Sequence, residues 1–384
     1  MRKVAVLSYG MTKVDKHWRK SLRELYGDAA KNALSSVSIP SIDALIVGNM
    51  CASDLSDQNN IGALLADYLG ITPSMAYRIE AACGSGGAAI LGAYTAVASG
   101  LYDYVLTGGV EKLTDGVGGN TTYSLGKASD AEYELFYGSS FVSINALMMN
   151  RYMHLYRTPR EAFADFAVLM HKNATKNPCA QLPFEISRET VLNSDMISDP
   201  ISLYDCAPVG DGAAALILCP VELAKKITDS YVEVAGIAGA TDTLNISSRS
   251  DILTLNSTRE AAKKAYRMAN VSAADIDVAE IHDTFTITAA LSVEDLGFCE
   301  KGRFGKMLSS GEMEAGGKVV INPSGGLKAR GHPVGTTGAY QVAEIAMQLS
   351  GKADRMQVKD AEIGLAQNIG GSGSSTYVTI LRRP

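Results

Sequence analysis

The chain has 384 residues, 46% of them hydrophobic, and a formal net charge of −6. That is enough apolar content for a large core and enough length for two or three domain-sized units. The acidic balance excludes a general nucleic-acid binder, because neutralising phosphates takes a concentrated basic surface. No run of about 18 uncharged apolar residues occurs, and Met1–Gly10 is too short an apolar stretch for a secretory signal, so no membrane partner is expected. Cys51, Cys83, Cys179, Cys206, Cys219 and Cys299 show neither CxxC pairs nor framework spacing, which predicts reduced thiols, a cytoplasmic location and no metal site.

A strand is expected from Val4 and a helical segment over Leu22–Leu34. Val37-Ser38 then precedes Ile42-Asp43 and an apolar strand Ala44–Val47. The same arrangement recurs 234 positions later, where Arg259–Met268 is helical, Val271-Ser272 precedes Ile276-Asp277, and Val278–Ile281 is a strand. The chain therefore contains two copies of a β-α-β unit.

Each copy continues into a glycine-rich turn that opens a helix of small and apolar residues. The first is Cys83-Gly-Ser-Gly-Gly-Ala-Ala-Ile90, running on to Ser99; the second is His332-Pro-Val-Gly-Thr-Thr-Gly-Ala-Tyr340, running on to Leu349. Helices apolar nearly all round are sandwiched between layers, so the two are expected to be central and mutually packed. Short strands with glycine pairs follow at Val105–Gly109 and Ile363–Gly371. Pseudo-twofold symmetry would bring the two helix N-termini together and turn Cys83 and His332 toward one cleft.

Between the copies, about 113–199 mixes Gly/Thr/Ser-rich loops with the amphipathic segment Ile144–Ala174. It reads as an insertion in the first repeat, closed by an apolar strand within Pro208–Leu218. Insertions on symmetric cores often cover a ligand.

Cys83 is the candidate nucleophile. At a helix start, backbone N–H groups and the positive dipole end favour thiolate and lower its pKa. The alternative is an inert buried thiol. Lys328 and Arg330, beside the Gly331-His332 turn, could contact a phosphorylated small ligand or belong to a solvated face.

Ala82-Cys83-x-Ser-Gly, Gly108-Gly-x-Glu111, Pro208-x-x-Asp-Gly-Ala-Ala-Ala215, His282-Asp-x-Phe285, Gly331-His-Pro-x-Gly335 and Gly370-Gly371 occur in thiolase order across nearly the whole chain. The sequence resembles the thiolase family, in particular its sterol-carrier-protein-type and archaeal acetyl-CoA C-acetyltransferase branches. The resemblance implies an α/β fold with a duplicated five-layer α-β-α-β-α core and a loop-domain insertion. The expected division is 1–112 with 200–225 as the N-terminal half, 113–199 as the loop domain, and 226–384 as the C-terminal half.

It also implies a homodimer or homotetramer that condenses two acetyl-CoA to acetoacetyl-CoA through an acyl-cysteine at Cys83. Coenzyme A thioesters are then substrates and no cofactor is covalently bound. His332 would be the base, Cys83 and Gly371 would form one oxyanion hole through their N–H groups, and His282 would contribute to another. His171 would lie near coenzyme A. By the same resemblance, a small zinc-ribbon/OB-fold protein and 3-hydroxy-3-methylglutaryl-CoA synthase are expected partners, in the setting of the mevalonate pathway.

Structural alternatives are a His332 that only caps a helix and a His282 paired with Asp283. One departure stands out: the usual positions of a second catalytic cysteine hold Asn368 and Thr284. A decarboxylating ketosynthase, a degradative 3-ketoacyl-CoA thiolase and a non-catalytic acyl-CoA-binding scaffold therefore remain alternatives.

Overall fold

The computed structural model describes residues 1–116 and 119–384; residues 117–118, inside the inserted segment, lie outside it. Among the described residues the strands are β1 (Val4–Met11), β2 (Ala44–Gly48), β3 (Met75–Ile79), β4 (Val105–Glu111), the short pair β5 (Met196–Ser198) and β6 (Ile201–Ser202), β7 (Gly212–Pro220), β8 (Val232–Thr241), β9 (Val278–Glu280), β10 (Val320–Ile321), β11 (Ile363–Gly370) and β12 (Ser375–Arg382).

Ten of these form one sheet in the order β10-β9-β11-β12-β8-β1-β7-β4-β2-β3. The order is two equivalent halves, β3-β2-β4-β7-β1 and β10-β9-β11-β12-β8, joined where Ala5 pairs with Glu233 and Val6 with Val232. The sequence offset survives in space. β2 and β9 begin at Ala44 and Val278, and the helix Leu22–Ser35 corresponds to the helix Asn256–Ala269.

Strand patterning explains the layers. In β1, Val4 and Val6 point into the core between the halves while Ala5 and Leu7 point into an outer core, so both faces are buried. The helix Leu22–Ser35 covers the first half's outer face with Leu25, Tyr26, Ala29 and Ala33, and Ser21 starts it with a capping box to Glu24. The helix Asn256–Ala269 covers the second half with Ala261, Ala262 and Ala265. Helices Ser85–Ala98 and Thr337–Leu349 lie between the halves and against each other. The result is the five-layer α-β-α-β-α core.

The central helices begin later than the turns that introduce them. The first starts at Ser85, two residues past Cys83, and the second at Thr337 after a 3₁₀ turn over Val334–Thr336. Two buried amides of the second helix find carbonyl partners through their NH₂ groups. Gln341 Nε2 donates to the carbonyls of Glu280 (3.2 Å) and Gln367 (2.7 Å), and Gln348 Nε2 to that of Met356 (2.8 Å).

Glycines set how closely these helices approach. A Cβ at Gly86 would stand 2.9 Å from Ala339 N and 3.0 Å from Gly338 N, and one at Gly338 would overlap Gly87 N and the Asn368 side chain. No side chain fits between the backbones.

The expected amphipathic stretch Ile144–Ala174 is two helices, Phe141–Tyr156 and Arg160–Ala174. The break falls at Arg157, which is left-handed (φ 56°), and at Pro159, which bars helical geometry in the residue before it. Phe163, Phe166 and Met170 share one core with Leu291, Phe298 and Phe304, so the inserted helices pack on the second half.

Gly338→Ala is expected to lower the unfolding free energy by about 1–3 kcal/mol through overpacking. Urea denaturation reads this out, and an unchanged midpoint would mean that the helix contact tolerates a methyl group.

Candidate active site

The first half supplies the thiol. Ala82 is held left-handed (φ 52°), a conformation that costs an L-residue about 1–2 kcal/mol. Glu80 Oε1 accepts from Ala82 N (2.6 Å), and Ser85 Oγ donates to the Ala82 carbonyl (2.6 Å). This strained turn carries Cys83 into a cavity of about 220 Å³, whose walls include His282, His332, Gly371, Thr284 and Cys206.

The cavity contradicts the expected thiolate. Burial pushes the Cys83 thiol up to about 12, and the Glu111 carboxylate adds to the shift. The N–H groups of Cys83 and Gly371 are hydrogen-bonded toward the sulfur and pull the other way, but they do not offset desolvation. The resting group is a thiol, and it needs a base.

His332 presents a free ring nitrogen to the same cavity. Thr337 Oγ1 donates to the Pro333 carbonyl (3.1 Å) and so offers a lone pair to His332 Nδ1 at 2.7 Å. That assigns the ring proton to Nδ1 and leaves Nε2 a bare acceptor with no hydrogen-bond partner among the described residues. Burial, followed by the Arg330 cation, pushes the imidazole down to about 3, so it is neutral.

His282 faces His332 edge-on, with ring centroids 5.3 Å apart and planes at 87°. Burial, then His332 and Arg330, hold it well below its ordinary value. It is not paired with Asp283, whose carboxylate instead accepts from Leu327 N (2.7 Å) and Lys328 N (3.4 Å). Asn368 approaches it. Asn368 Oδ1 accepts from Gly87 N (2.9 Å), and Nδ2 donates to the Cys83 carbonyl (3.0 Å) and lies 3.4 Å from His282 Nδ1.

Glu111 ties the two halves together beneath the site. Oε1 accepts from Asn49 Nδ2 (2.8 Å) and Cys51 N (3.0 Å), and Oε2 from Met50 N (2.8 Å) and Gly335 N (2.9 Å).

Three expected ligand contacts do not reach the cavity. His171 is buried, with Nδ1 3.0 Å from the Phe184 carbonyl and Nε2 3.4 Å from Lys328 Nζ. Lys328 stands over the Tyr204 ring, and burial pushes its ammonium down to about 8. Arg330 is fully buried, paired with Glu344 (3.2 Å) and stacked over Tyr340. All three side chains fall in the interior, where Lys328 and Arg330 belong to the helix Gly326–Arg330 and Arg330 Nη1 donates to the Gly331 carbonyl (2.9 Å) at the start of the Gly331-His332 turn. Sequence reasoning missed Thr337 as the group orienting His332 and Cys206 as a cavity thiol. Thr337 lay in the glycine-rich turn as a spacing, five residues from His332, but its direction needs the fold.

The chain matches the family model "Thiolase, N-terminal domain" over residues 4–222 and "Thiolase C-terminal domain-like" over 238–383. It is 44% identical over 385 residues to an acetyl-CoA acetyltransferase of Methanothermobacter thermautotrophicus, covering all of both chains. It is 32% identical to Sterol carrier protein 2 of Homo sapiens, covering all of this chain and 72% of that one. In fold it is similar to the Ltp2-ChsH2(DUF35) aldolase, with a TM-score of 0.87 at 24% identity over 99% of this chain and 98% of that one. It is also similar to human mitochondrial 3-ketoacyl-CoA thiolase in complex with CoA, with a TM-score of 0.77 at 18% identity over 100% and 98%. The chain belongs to the thiolase family. It is an acyltransferase whose substrates are coenzyme A thioesters.

The raised thiol value predicts how Cys83 alkylates. Deprotonation is incomplete until about pH 12, so iodoacetamide labelling, followed by peptide mass spectrometry, is expected to keep rising beyond pH ~9. A plateau near about 8.5, the value of a free thiol, would show that burial does not govern this group.

Proposed function

We propose that the chain is an acetyl-CoA C-acetyltransferase that condenses two acetyl-CoA into acetoacetyl-CoA and free coenzyme A. The observation that carries this is the meeting in one cavity of a thiol, a neutral imidazole with a free lone pair, and a second imidazole. The acetyl group is supported by relatives bearing that activity at 44% and 42% identity over essentially the whole chain.

His332 Nε2 takes the Cys83 proton as the sulfur attacks the first thioester carbonyl. The Cys83 and Gly371 N–H groups hold the tetrahedral oxyanion, and collapse expels coenzyme A thiolate, which recovers the proton from His332. A carbanion of the second acetyl-CoA then attacks the acyl-cysteine, with His282 holding its enolate oxygen. Residues 1–112 with 200–225 form the thiol-bearing half, 226–384 the histidine-bearing half, and 113–199 the loop domain over the cavity.

Acetyl-CoA should add one acetyl group to the wild type and none to Cys83→Ala, as read by intact mass together with release of free coenzyme A. Turnover by Cys83→Ala would sink the assignment.

The active form is a homo-oligomer. β3 is one edge of the sheet, with Met75 53% and Tyr77 38% exposed, and beside it Leu91, Gly92, Thr95 and Leu101 line an apolar groove. A second copy fits this face. A further partner is a small zinc-ribbon/OB-fold protein, acting with 3-hydroxy-3-methylglutaryl-CoA synthase of the mevalonate pathway to draw off acetoacetyl-CoA, whose formation is uphill. The Ltp2-ChsH2(DUF35) aldolase carries a DUF35 component in its own name. Tyr133, Phe136 and Tyr137 stand exposed just before Ser140 and Phe141 of the cavity wall, where such a chain could cover the entrance. Co-expression and size-exclusion chromatography should yield a hetero-oligomer; a homo-oligomer that condenses acetyl-CoA at full rate alone would refute the partner.

A further inference from the structure

Condensation requires a base for the α-proton of the second acetyl-CoA, and neither Asn368 nor Thr284 can be one. An amide has no basic lone pair at working pH, and a hydroxyl is a weak acid and a weaker base. The remaining cavity candidates are Cys206, His282 and His332.

Cys206 is engaged elsewhere. Its Sγ points to the Ser202 carbonyl at 3.6 Å, and burial pushes the thiol up to about 12. It rests as a thiol donating to that carbonyl, so it presents no thiolate to take the α-proton.

His282 is fixed in the wrong sense for a base. The Gly87 N–H, which can only donate, sets the Asn368 amide with its oxygen toward the helix and its NH₂ toward Cys83 and His282. An NH₂ facing His282 Nδ1 makes that nitrogen the acceptor, so the ring proton sits on Nε2. His282 is thus a donor toward the cavity, suited to an enolate oxygen. His332 has the opposite tautomer, because Thr337 takes its Nδ1–H and leaves Nε2 bare.

We infer that His332 Nε2 is the single base of both half-reactions, and that Asn368, standing where a second cysteine would be, is a positioning residue that holds His282 as a donor. This rests on the acyltransferase reading above. The protons balance with one base. The Cys83 proton passes through His332 to the departing coenzyme A thiolate, which leaves Nε2 free again. Nε2 then takes the α-proton of the second acetyl-CoA, and the carbon's electron pair forms the new C–C bond to the acyl carbonyl. Collapse releases the Cys83 thiolate, which recovers the proton from His332. Two acetyl-CoA give acetoacetyl-CoA and one coenzyme A, with the enzyme unchanged.

Exchange of acetyl-CoA methyl hydrogens with D₂O isolates the second step, because the inference does not require Cys83 for it. Cys83→Ala should still exchange. Adding His332→Asn should lower exchange by about 100-fold or more, the range of a lost general base, while adding Cys206→Ser should leave it within about twofold. Coenzyme A binding, measured by calorimetry, checks that each variant is folded. Adding Asn368→Asp to Cys83→Ala/His332→Asn places an acceptor at His282 Nδ1 and reverses its tautomer, so exchange should recover by about tenfold; a merely structural Asn368 would give none.

Exchange that survives His332→Asn, disappears with Cys206→Ser, or is lost with Cys83→Ala alone would overturn the single-base assignment, and failure of Asn368→Asp to restore exchange would overturn the role of Asn368. Acylation of the wild type by acetyl-CoA separates the two levels. A wild type that never acylates refutes the acyltransferase reading, whereas one that acylates but exchanges independently of His332 refutes this inference alone.

Discussion

The contact between the two central helices is the constraint on which the site depends. Gly86 and Gly87 of one helix meet Gly338 and Ala339 of the other with no side chain between them, and the Asn368 amide closes the junction. Two helix N-termini therefore converge, each with a positive dipole end. Such a place favours oxyanions and disfavours cations, in keeping with two neutral histidines rather than imidazolium ions. Buried carboxylates offset part of that field. Glu111 accepts from Gly335 N at the start of the second helix, and Asp283 accepts from Leu327 and Lys328 N on the short helix before it.

Burial is a requirement of the duplicated architecture as much as of the chemistry. Each half presents one face of its sheet to the central layer, so groups at that layer's edge are desolvated by construction. The same desolvation raises the thiol and lowers the imidazoles, so a resting thiolate–imidazolium pair is disfavoured. Proton transfer and attack on the thioester are then coupled. In the proposed mechanism, charge passes to the substrate oxygen rather than resting on buried side chains.

What could be read from the sequence follows from how local its physical cause is. The repeat was legible because a β-α-β unit writes the same apolar spacing twice; the helices 22–35 and 256–269 and the strands at Ala44 and Val278 keep the offset of the sequence. The convergence of Cys83 and His332 followed from symmetry. The protonation state of Cys83 did not, because the dipole and N–H groups are local to its turn whereas desolvation comes from residues far away in sequence. Lys328 and Arg330 misled for a related reason. A charge beside a glycine turn looks like a surface group, and only the pairing of Arg330 with Glu344 and the contact of Lys328 with His171 show why each can be buried.

The inserted segment adds a dependence that neither repeat has alone. Its helices leave the first half and share a core with the second, so the cavity wall contributed by Phe141, Val142 and Met148 is fixed only when both halves are folded and docked. The thiol belongs to one half, the bare imidazole and the donor imidazole to the other, and the enclosing wall to a segment that bridges them. A rearrangement that moved the halves apart by one side-chain diameter would leave every strand paired within its own half. It would still separate Cys83 from His332, remove the Asn368 tie to the Cys83 carbonyl, and admit water to groups whose protonation states depend on its absence. Chemistry and interdomain packing are therefore one property here, held at the glycine contact.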